Sequence, residues 1–333
     1  MPQLRKDPIT FEWVIIAGER KERPHDFQKI WDNGELPPFD PKCPFCPGNE
    51  HLTPPEIFAI RNGHSSPKWL VRVVPNKFPA LRIEGSTERL GKGMFDYMDG
   101  VGAHEVIIET PIHNARFSTL PGEQVKRVLL AYRERILDLK NDIRFVYILV
   151  FRNEGKEAGA SLRHPHSQLI ALPFIPHEVV LEIEGMKRYH SFRERCPFCD
   201  MVKEELSFGE RIVRESDNFL ALEPFASKYP FETLILPKRH HPSFADETEQ
   251  MLEEFAFFLR DILYRLDKAL QNPPYNYTLH NIPLRNCSPD GFHWHLEIIP
   301  RISTPAGFEL GSGIYINTVP PEEAARILRE VKD

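Results

Sequence analysis

The 333-residue chain contains nothing close to the roughly 20 uninterrupted apolar residues that a membrane-spanning helix needs. Its first residues, MPQLRKDPIT, also lack the apolar stretch of a secretory signal. Both shortages point to a cytoplasmic protein with no membrane partner. Nor is there an excess of positive charge: 42 Lys and Arg stand against 48 Asp and Glu, a net charge of -6. Without a basic field the phosphates of a nucleic acid find no broad landing surface, so no nucleic-acid partner is expected. Any phosphate-bearing ligand must be held by local donors. Cysteine is scarce as well, and 5 residues are too few to staple a chain of this length with disulfides. What remains is an ordinary globular composition in a chain longer than one hydrophobic core usually grows, so two domains or a fused pair are expected.

The few cysteines are not scattered. The phrase CPFC occurs at 43–46 and again at 196–199, leaving only Cys287 without a partner. The segments downstream of the two copies repeat as well. After the first come the strand candidates 69–76 and 104–113, a helix-period stretch at 122–140, a strand candidate at 143–151 and His-Pro-His at 164–166. After the second come strand candidates 218–224 and 232–240, a helix-period stretch at 246–270, a strand candidate at 275–281 and His-Trp-His at 293–295. The step from His113 to His164 is 51 residues and that from His240 to His293 is 53. Val125, Val128, Leu129, Tyr132 and Ile136 form one apolar helical stripe, and Met251, Phe255, Phe258, Leu259 and Ile262 form the other; both read as core faces. Strands around one long helix, twice over, predict an α+β architecture in which each repeat packs a helix on an antiparallel sheet. The boundary is placed between 178 and 179, giving repeats over 1–178 and 179–333.

Two thiolates two residues apart can grip one side of a tetrahedral zinc ion, and two histidines from distant strands can complete it. The first predicted set is Cys43, Cys46, His113 and His164, and the repeat gives Cys196, Cys199, His240 and His293 as the second. His241 adjoins His240, but His113 and His240 each precede a Phe by four positions, which favours His240. A redox pair or an unligated buried pair is the alternative for either CPFC.

The segment GASLRHPHSQLIALP (159–173) carries the predicted chemistry. On an extended strand His164, His166 and Gln168 share one side. With His164 fixed on a metal ion, His166 stands beside a rigid anchor. A neutral imidazole is a good nucleophile towards phosphorus when a backbone carbonyl takes its other N–H. Gln168 can donate an amide hydrogen to a phosphoryl oxygen but cannot act as a general acid or base. A phospho-histidine beside Gln has no group to activate water, which favours transfer to a second phosphate over hydrolysis. Gly159 and Ser161 offer backbone and hydroxyl donors for phosphates.

The phrases WVIIAGERKERP (13–24), CPFCPGNE (43–50), VPNKFPAL (74–81), FRNEGKEAGASLRHPHSQ (151–168) and GFHWHLEIIPR (291–301) closely resemble the galactose-1-phosphate uridylyltransferase family, the transferase branch of the histidine-triad superfamily. The resemblance implies two fused histidine-triad-like repeats and a homodimer with active sites near the subunit interface. It also implies ping-pong transfer of UMP from UDP-glucose to galactose 1-phosphate through a nucleotidyl-histidine. By that resemblance His166 is the nucleophile and Gln168 stabilises the nucleotidylated form. Arg20 and Arg23 position phosphate or substrate, and Asn76, Asn153, Gly159 and Ser161 contact nucleotide and phosphate. The chain departs from the usual Ser-Asn-Pro-His-Pro-His-Gly-Gln, reading Leu162-Arg163 before the first His and Ser167 in place of Gly. In the C-terminal stretch 307–325, where the family binds hexose and carries a Gln after Thr, Val319 stands at the nearest register. This variant resembles both many bacterial members of the family called galactose-1-phosphate uridylyltransferase and the plant ADP-glucose phosphorylases of the same family, which use inorganic phosphate as acceptor. Some relatives place a second metal on Glu and three His, for which Glu182, His280, His293 and His295 are available. A histidine-triad hydrolase would carry a third His where Gln168 stands, and a zinc-bearing adaptor would need a basic, aromatic strip that is missing.

Overall fold

The computed structural model describes residues 1–22, 31, 34, 36–63, 66, 68–285 and 287–332. In the first half, β1 (Gln3–Lys6), β2 (Trp13–Ile16), β3 (Phe58–Arg61), β4 (Trp69–Pro75), β5 (Leu90–Lys92), β6 (Phe95–Tyr97) and β7 (Ala103–Ile108) precede helix α1 (Gly122–Leu139). Strands β8 (Tyr147–Glu154) and β9 (His166–Leu172) come after it. The second half opens with helices α2 (His177–Arg193) and α3 (Pro197–Phe208), then β10 (Ile212–Glu215), β11 (Phe219–Leu222) and β12 (Thr233–Pro237). Helix α4 (Glu249–Leu270), β13 (Tyr275–His280) and β14 (His295–Pro300) come next, and α5 (Gly307–Ser312), β15 (Ile316–Asn317) and α6 (Pro321–Arg329) close the chain.

Ten strands form one sheet in the order β10-β11-β12-β14-β13-β8-β9-β7-β4-β3. Every pairing in it is antiparallel. Read outward from the middle, the order is the same on both sides: β8-β9-β7-β4-β3 matches β13-β14-β12-β11-β10. The two halves meet edge to edge where β8 pairs β13, from Glu154 opposite Tyr275 to Val150 opposite Leu279. Each half thereby covers the open strand edge of the other, which would otherwise be a site for unwanted pairing.

Helices α1 and α4 lie side by side and share one core with the sheet, built from Val125, Leu129, Phe255, Leu259 and Ile262 against Val73, Ile107, Leu169, Ile235 and Leu296. Helix α4 starts cleanly because the Thr248 hydroxyl accepts the Met251 N–H (3.2 Å). The other sheet face is covered differently in the two halves. Over β11 and β12 it carries α2 and α3, and over β4 and β7 it carries the Cys43–Cys46 loop. Strands buried on both sides read as near-continuous apolar runs such as FLAL and, after Thr233, LILP rather than as alternating ones.

The fold is the α+β arrangement that the sequence pattern predicts, with some local differences. The strand expected over 143–151 begins only at Tyr147, because Asp142 and Arg144 close a turn through the Arg144 Nε–Asp142 bond (3.0 Å). The two CPFC phrases adopt different structure. The first is followed by Pro47 and Gly48, whose φ of 93° ends it in turns, whereas Pro197 of the second opens α3. A small sheet, β1-β2-β15, joins the two ends of the described chain, and Arg5 binds Glu322 of α6 at 2.8 Å. Among the described residues no helix is long and apolar enough to cross a membrane.

Helix α2 runs so close to the β1–β2 connection that a Cβ on Gly185 would sit 1.8 Å from the Ile9 carbonyl oxygen. Gly185→Ala is therefore expected to cost about 1–3 kcal/mol of stability through overpacking, measured as a lowered urea midpoint.

Candidate active site and metal clusters

The loop between β8 and β9 delivers His164 just before β9 begins. There its Nδ1 lies 3.7 Å from Cys43 Sγ and 3.6 Å from Cys46 Sγ, with His113 Nδ1 3.5 Å from Cys46 Sγ. The His164 Nε2–H donates to the Thr110 carbonyl (2.8 Å), which leaves Nδ1 as the free ligand atom. Burial pushes the His164 pKa down to about 4, so the ring is neutral and able to ligate. A tetrahedral zinc ion with sulfur at about 2.3 Å and nitrogen at about 2.0–2.1 Å sets neighbouring S and N atoms about 3.6 Å apart. The four residues fit that requirement.

The second set repeats it. His293 Nδ1 lies 3.8 Å from Cys196 Sγ and 3.6 Å from Cys199 Sγ, and His240 Nδ1 lies 3.7 Å from Cys199 Sγ. His293 Nε2–H donates to the Pro237 carbonyl (2.9 Å). His241 turns away to Glu247 (2.9 Å). Both sets could hold a metal ion, and so could a third made of Glu182, His280 and His295. The alternative set of one Glu and three His is not assembled as such, because His293 faces the cysteines.

On β9 the ring of His166 is 7% exposed and its Nδ1 lies 2.8 Å from the His164 carbonyl oxygen. A carbonyl only accepts, so Nδ1 carries the hydrogen and Nε2 carries the lone pair. Burial lowers the His166 pKa below that of free imidazole and the Arg152 guanidinium adds to this, while the bond to His164 and the Glu154 carboxylate oppose it. The edge of the Phe45 ring packs on His166 with centroids 5.3 Å apart. Gln168, two residues along, has Oε1 2.9 Å from His104 Nε2 and 3.5 Å from Asn76 Nδ2. Asn153 accepts from Asn276 Nδ2 (2.8 Å), and that same amide also donates to the Ala158 carbonyl (2.8 Å) and so holds the loop after β8. Gly159 takes a left-handed φ of 89° in that loop, and a Cβ there would stand 3.9 Å from Asn153 Nδ2. Ser161 is exposed on the same loop. Arg20 sits in the short turn Gly18–Glu22 after β2, with its N–H on the Ala17 carbonyl, and no described contact joins it to β9. Arg23 lies outside the described residues.

Family models for the N-terminal and the C-terminal domain of galactose-1-phosphate uridyl transferase match residues 1–176 and 182–331. The chain belongs to the galactose-1-phosphate uridylyltransferase family. Among its relatives in this family of nucleotidyltransferases, the ADP-glucose phosphorylase of Arabidopsis thaliana is 37% identical over 335 residues, 99% of this chain and 93% of that protein. The galactose-1-phosphate uridylyltransferase of Thermotoga maritima is 32% identical over 341 residues, 100% of this chain and 99% of that one. The crystal structure of the Arabidopsis ADP-glucose phosphorylase with bound ADP-glucose has the same fold, with a TM-score of 0.86, 35% identity and 100% of both chains covered.

This member of the uridylyltransferase family backs its His166 strand with a buried ionic network that spacing alone does not reveal. Ser167, on the opposite face of β9, bonds Glu109 and Tyr132, and Tyr132 bonds Tyr277 across the two halves (2.6 Å). Glu109 pairs with Arg152 (3.0 Å), which also reaches Glu154 (2.5 Å) and the Tyr275 hydroxyl (3.0 Å). Arg116 links Glu154 (3.3 Å) to Asp267 of α4 (2.7 Å). Sequence reasoning reads HEVIIETPIH and YNYTLHN as strands and passes over His104, Glu109 and Asn276. The available signal was polar residues inside otherwise apolar strands, each of which must find a partner when buried. Arg152 and Glu109 are 1% and 0% exposed, so Glu109→Ala takes one of the two carboxylates from a buried cation and leaves Ser167 without its acceptor, and is expected to cost about 3 kcal/mol, read as a shift of the urea unfolding midpoint.

Proposed function

We propose that this chain moves a nucleoside monophosphate from a nucleotide sugar to a second phosphate through a covalent bond to His166 Nε2. The observation that supports this reading is the His166 Nδ1–His164 carbonyl bond, which leaves the lone pair on Nε2, the atom a nucleophilic imidazole needs free, while Gln168 lies two residues along the same strand. In the first step Nε2 attacks the α-phosphorus, the P–O bond to the sugar phosphate breaks, and sugar 1-phosphate leaves. The Gln168 amide donates to a phosphoryl oxygen as negative charge builds there. In the second step a phosphate oxygen of the acceptor attacks the same phosphorus and the N–P bond breaks. Two in-line displacements retain configuration at phosphorus.

The donor and acceptor of our reading are UDP-glucose and galactose 1-phosphate, the reaction for which the family is named. The reading includes a homodimer and a cytoplasmic setting. A second reading, AMP transfer from ADP-glucose to inorganic phosphate, is supported by the full-length likeness to the Arabidopsis phosphorylase. Val319 is 5% exposed within the core, so neither reading draws a polar contact to its hexose from that position. The two Cys–Cys–His–His sets are proposed to hold zinc. Four protein ligands leave no position open for water, so a bound ion supplies a cross-link between loop and strand rather than chemistry.

Intact mass after incubation with UDP-glucose or with ADP-glucose tests the reaction. A gain the size of UMP, discharged by galactose 1-phosphate, is expected in the wild type, with no gain in His166→Ala. An AMP-sized gain discharged by phosphate moves the assignment to the second reading, and no adduct with either donor removes the covalent mechanism. Elemental analysis is expected to find two zinc ions per chain, with Cys196→Ser losing one and the chelated protein melting at a lower temperature; a wild type without bound metal overturns that part.

A further inference from the structure

We infer that His104 is a positioning residue that decides which end of the Gln168 amide faces the reacting phosphoryl group. The two ends of an amide side chain are nearly the same size, so sterics alone do not choose between them and hydrogen-bond neighbours must. The β7–β9 register sets Val106 opposite Gln168 and His104 opposite Ile170. His104 is therefore the diagonal neighbour of Gln168 on the same sheet face.

The tautomer of His104 is fixed from outside the pair. The Ala80 N–H donates to His104 Nδ1 at 3.1 Å. A nitrogen that accepts carries no hydrogen, so the hydrogen of the neutral ring sits on Nε2. That atom lies 2.9 Å from Gln168 Oε1 and donates to it. Asn76 adds a second donor by the same logic. Its Oδ1 accepts the Phe78 N–H at 2.9 Å, which turns Nδ2 towards Gln168 Oε1 at 3.5 Å. The two donors stand 3.1 Å from each other as they converge on that oxygen, and the Asn76 N–H is tied to the His104 carbonyl at 2.8 Å. In the observed orientation the Gln168 NH2 is left for the ligand. In the flipped orientation that NH2 would face two donors, and its carbonyl would face the phosphoryl oxygens. Two fixed donors behind Gln168 thus keep a hydrogen-bond donor aimed outward before any substrate arrives, the condition under which a polar group helps most as charge develops.

The catalytic consequence rests on the nucleotidyl-transfer reading, so the experiment has one arm that depends on that reading and one that does not. In single-turnover measurements of adduct formation, His104→Ala is expected to slow nucleotidylation about tenfold, the worth of one lost hydrogen bond. His104→Gln, which keeps an N–H donor, is expected to recover most of the rate. In the Gln168→Ala background His104→Ala is expected to add no further loss, because the two act as one unit. An unchanged rate in His104→Ala, or an equal loss in both backgrounds, overturns the inference. The second arm reads the Gln168 side-chain amide by 1H–15N NMR, assigned by its disappearance in Gln168→Ala. Its resonances are expected to shift in His104→Ala while melting temperature and metal content hold. Unshifted resonances overturn the inference even if the wild type forms no adduct, the outcome that would by itself sink only the nucleotidyl-transfer reading.

Discussion

The bond from the His166 ring to the carbonyl of His164, two residues earlier in the loop that leads into the same strand, is the contact on which the rest of the site depends. It works because His164 is itself immobile: its ring lies between two sulfurs on one side and the Thr110 carbonyl on the other. The backbone that bears the accepting carbonyl is therefore held by a side-chain cluster as well as by the sheet. Strand β9 pairs on both edges, with β7 and β8, so neither neighbour can slide without breaking a ladder. A buried neutral ring with one determined tautomer is the product of that framework.

The second half builds the same device and then closes it. His295 bonds the His293 carbonyl at 3.0 Å, and Phe198 of the second CPFC packs on it at the position Phe45 takes against His166, though with the rings closer to parallel, 33° against 63°. Yet His295 Nε2 meets Glu182 of α2 at 2.9 Å, and His280 stacks on the ring with centroids 4.5 Å apart. Although burial opposes it, His295 and His280 hold the Glu182 carboxyl well below the usual carboxylate range. Glu297 stands two residues beyond His295 where Gln168 stands beyond His166. The difference traces to the segment between the repeats. Helices α2 and α3 cover this face of the second half and bring Glu182 against His295, whereas among the described residues the Cys43–Cys46 loop, with Leu162, covers the corresponding face of the first.

Behind β9 the buried ions serve both halves at once. Arg152 lies on β8, the strand that pairs with β13, and its partners reach Tyr275 on β13 and, through Glu154 and Arg116, Asp267 on α4. Burial of such charges is costly, and the pairs return that cost only when every member is in place. The network therefore ties the position of the His166 strand to correct docking of the second half. The Tyr132–Tyr277 bond draws α1 and β13 into the same arrangement.

Repetition and spacing made much of this legible before any coordinates. Two CPFC phrases, each trailed by a His and a His-x-His at steps of 51 and 53 residues, named eight residues that the structure gathers into two tetrahedral-sized clusters. Period-two alternation put His166 and Gln168 on one face of a strand, because that face comes from local backbone geometry alone. The apolar stripes of α1 and α4 were visible for the same reason. Partners chosen across the sheet were not. That His104 bonds Gln168, that Asn276 of the second half bonds Asn153, and that Arg152 answers Glu109 depend on register and on which element covers which face. Those are set by long-range packing, which no local pattern in the chain encodes. Pattern and spacing along the chain thus specify the repeated strands, the long helices α1 and α4, the two Cys–His sets and the strand that bears His166. Which buried polar group answers which is left to the assembled fold, since each must find a partner wherever packing brings one.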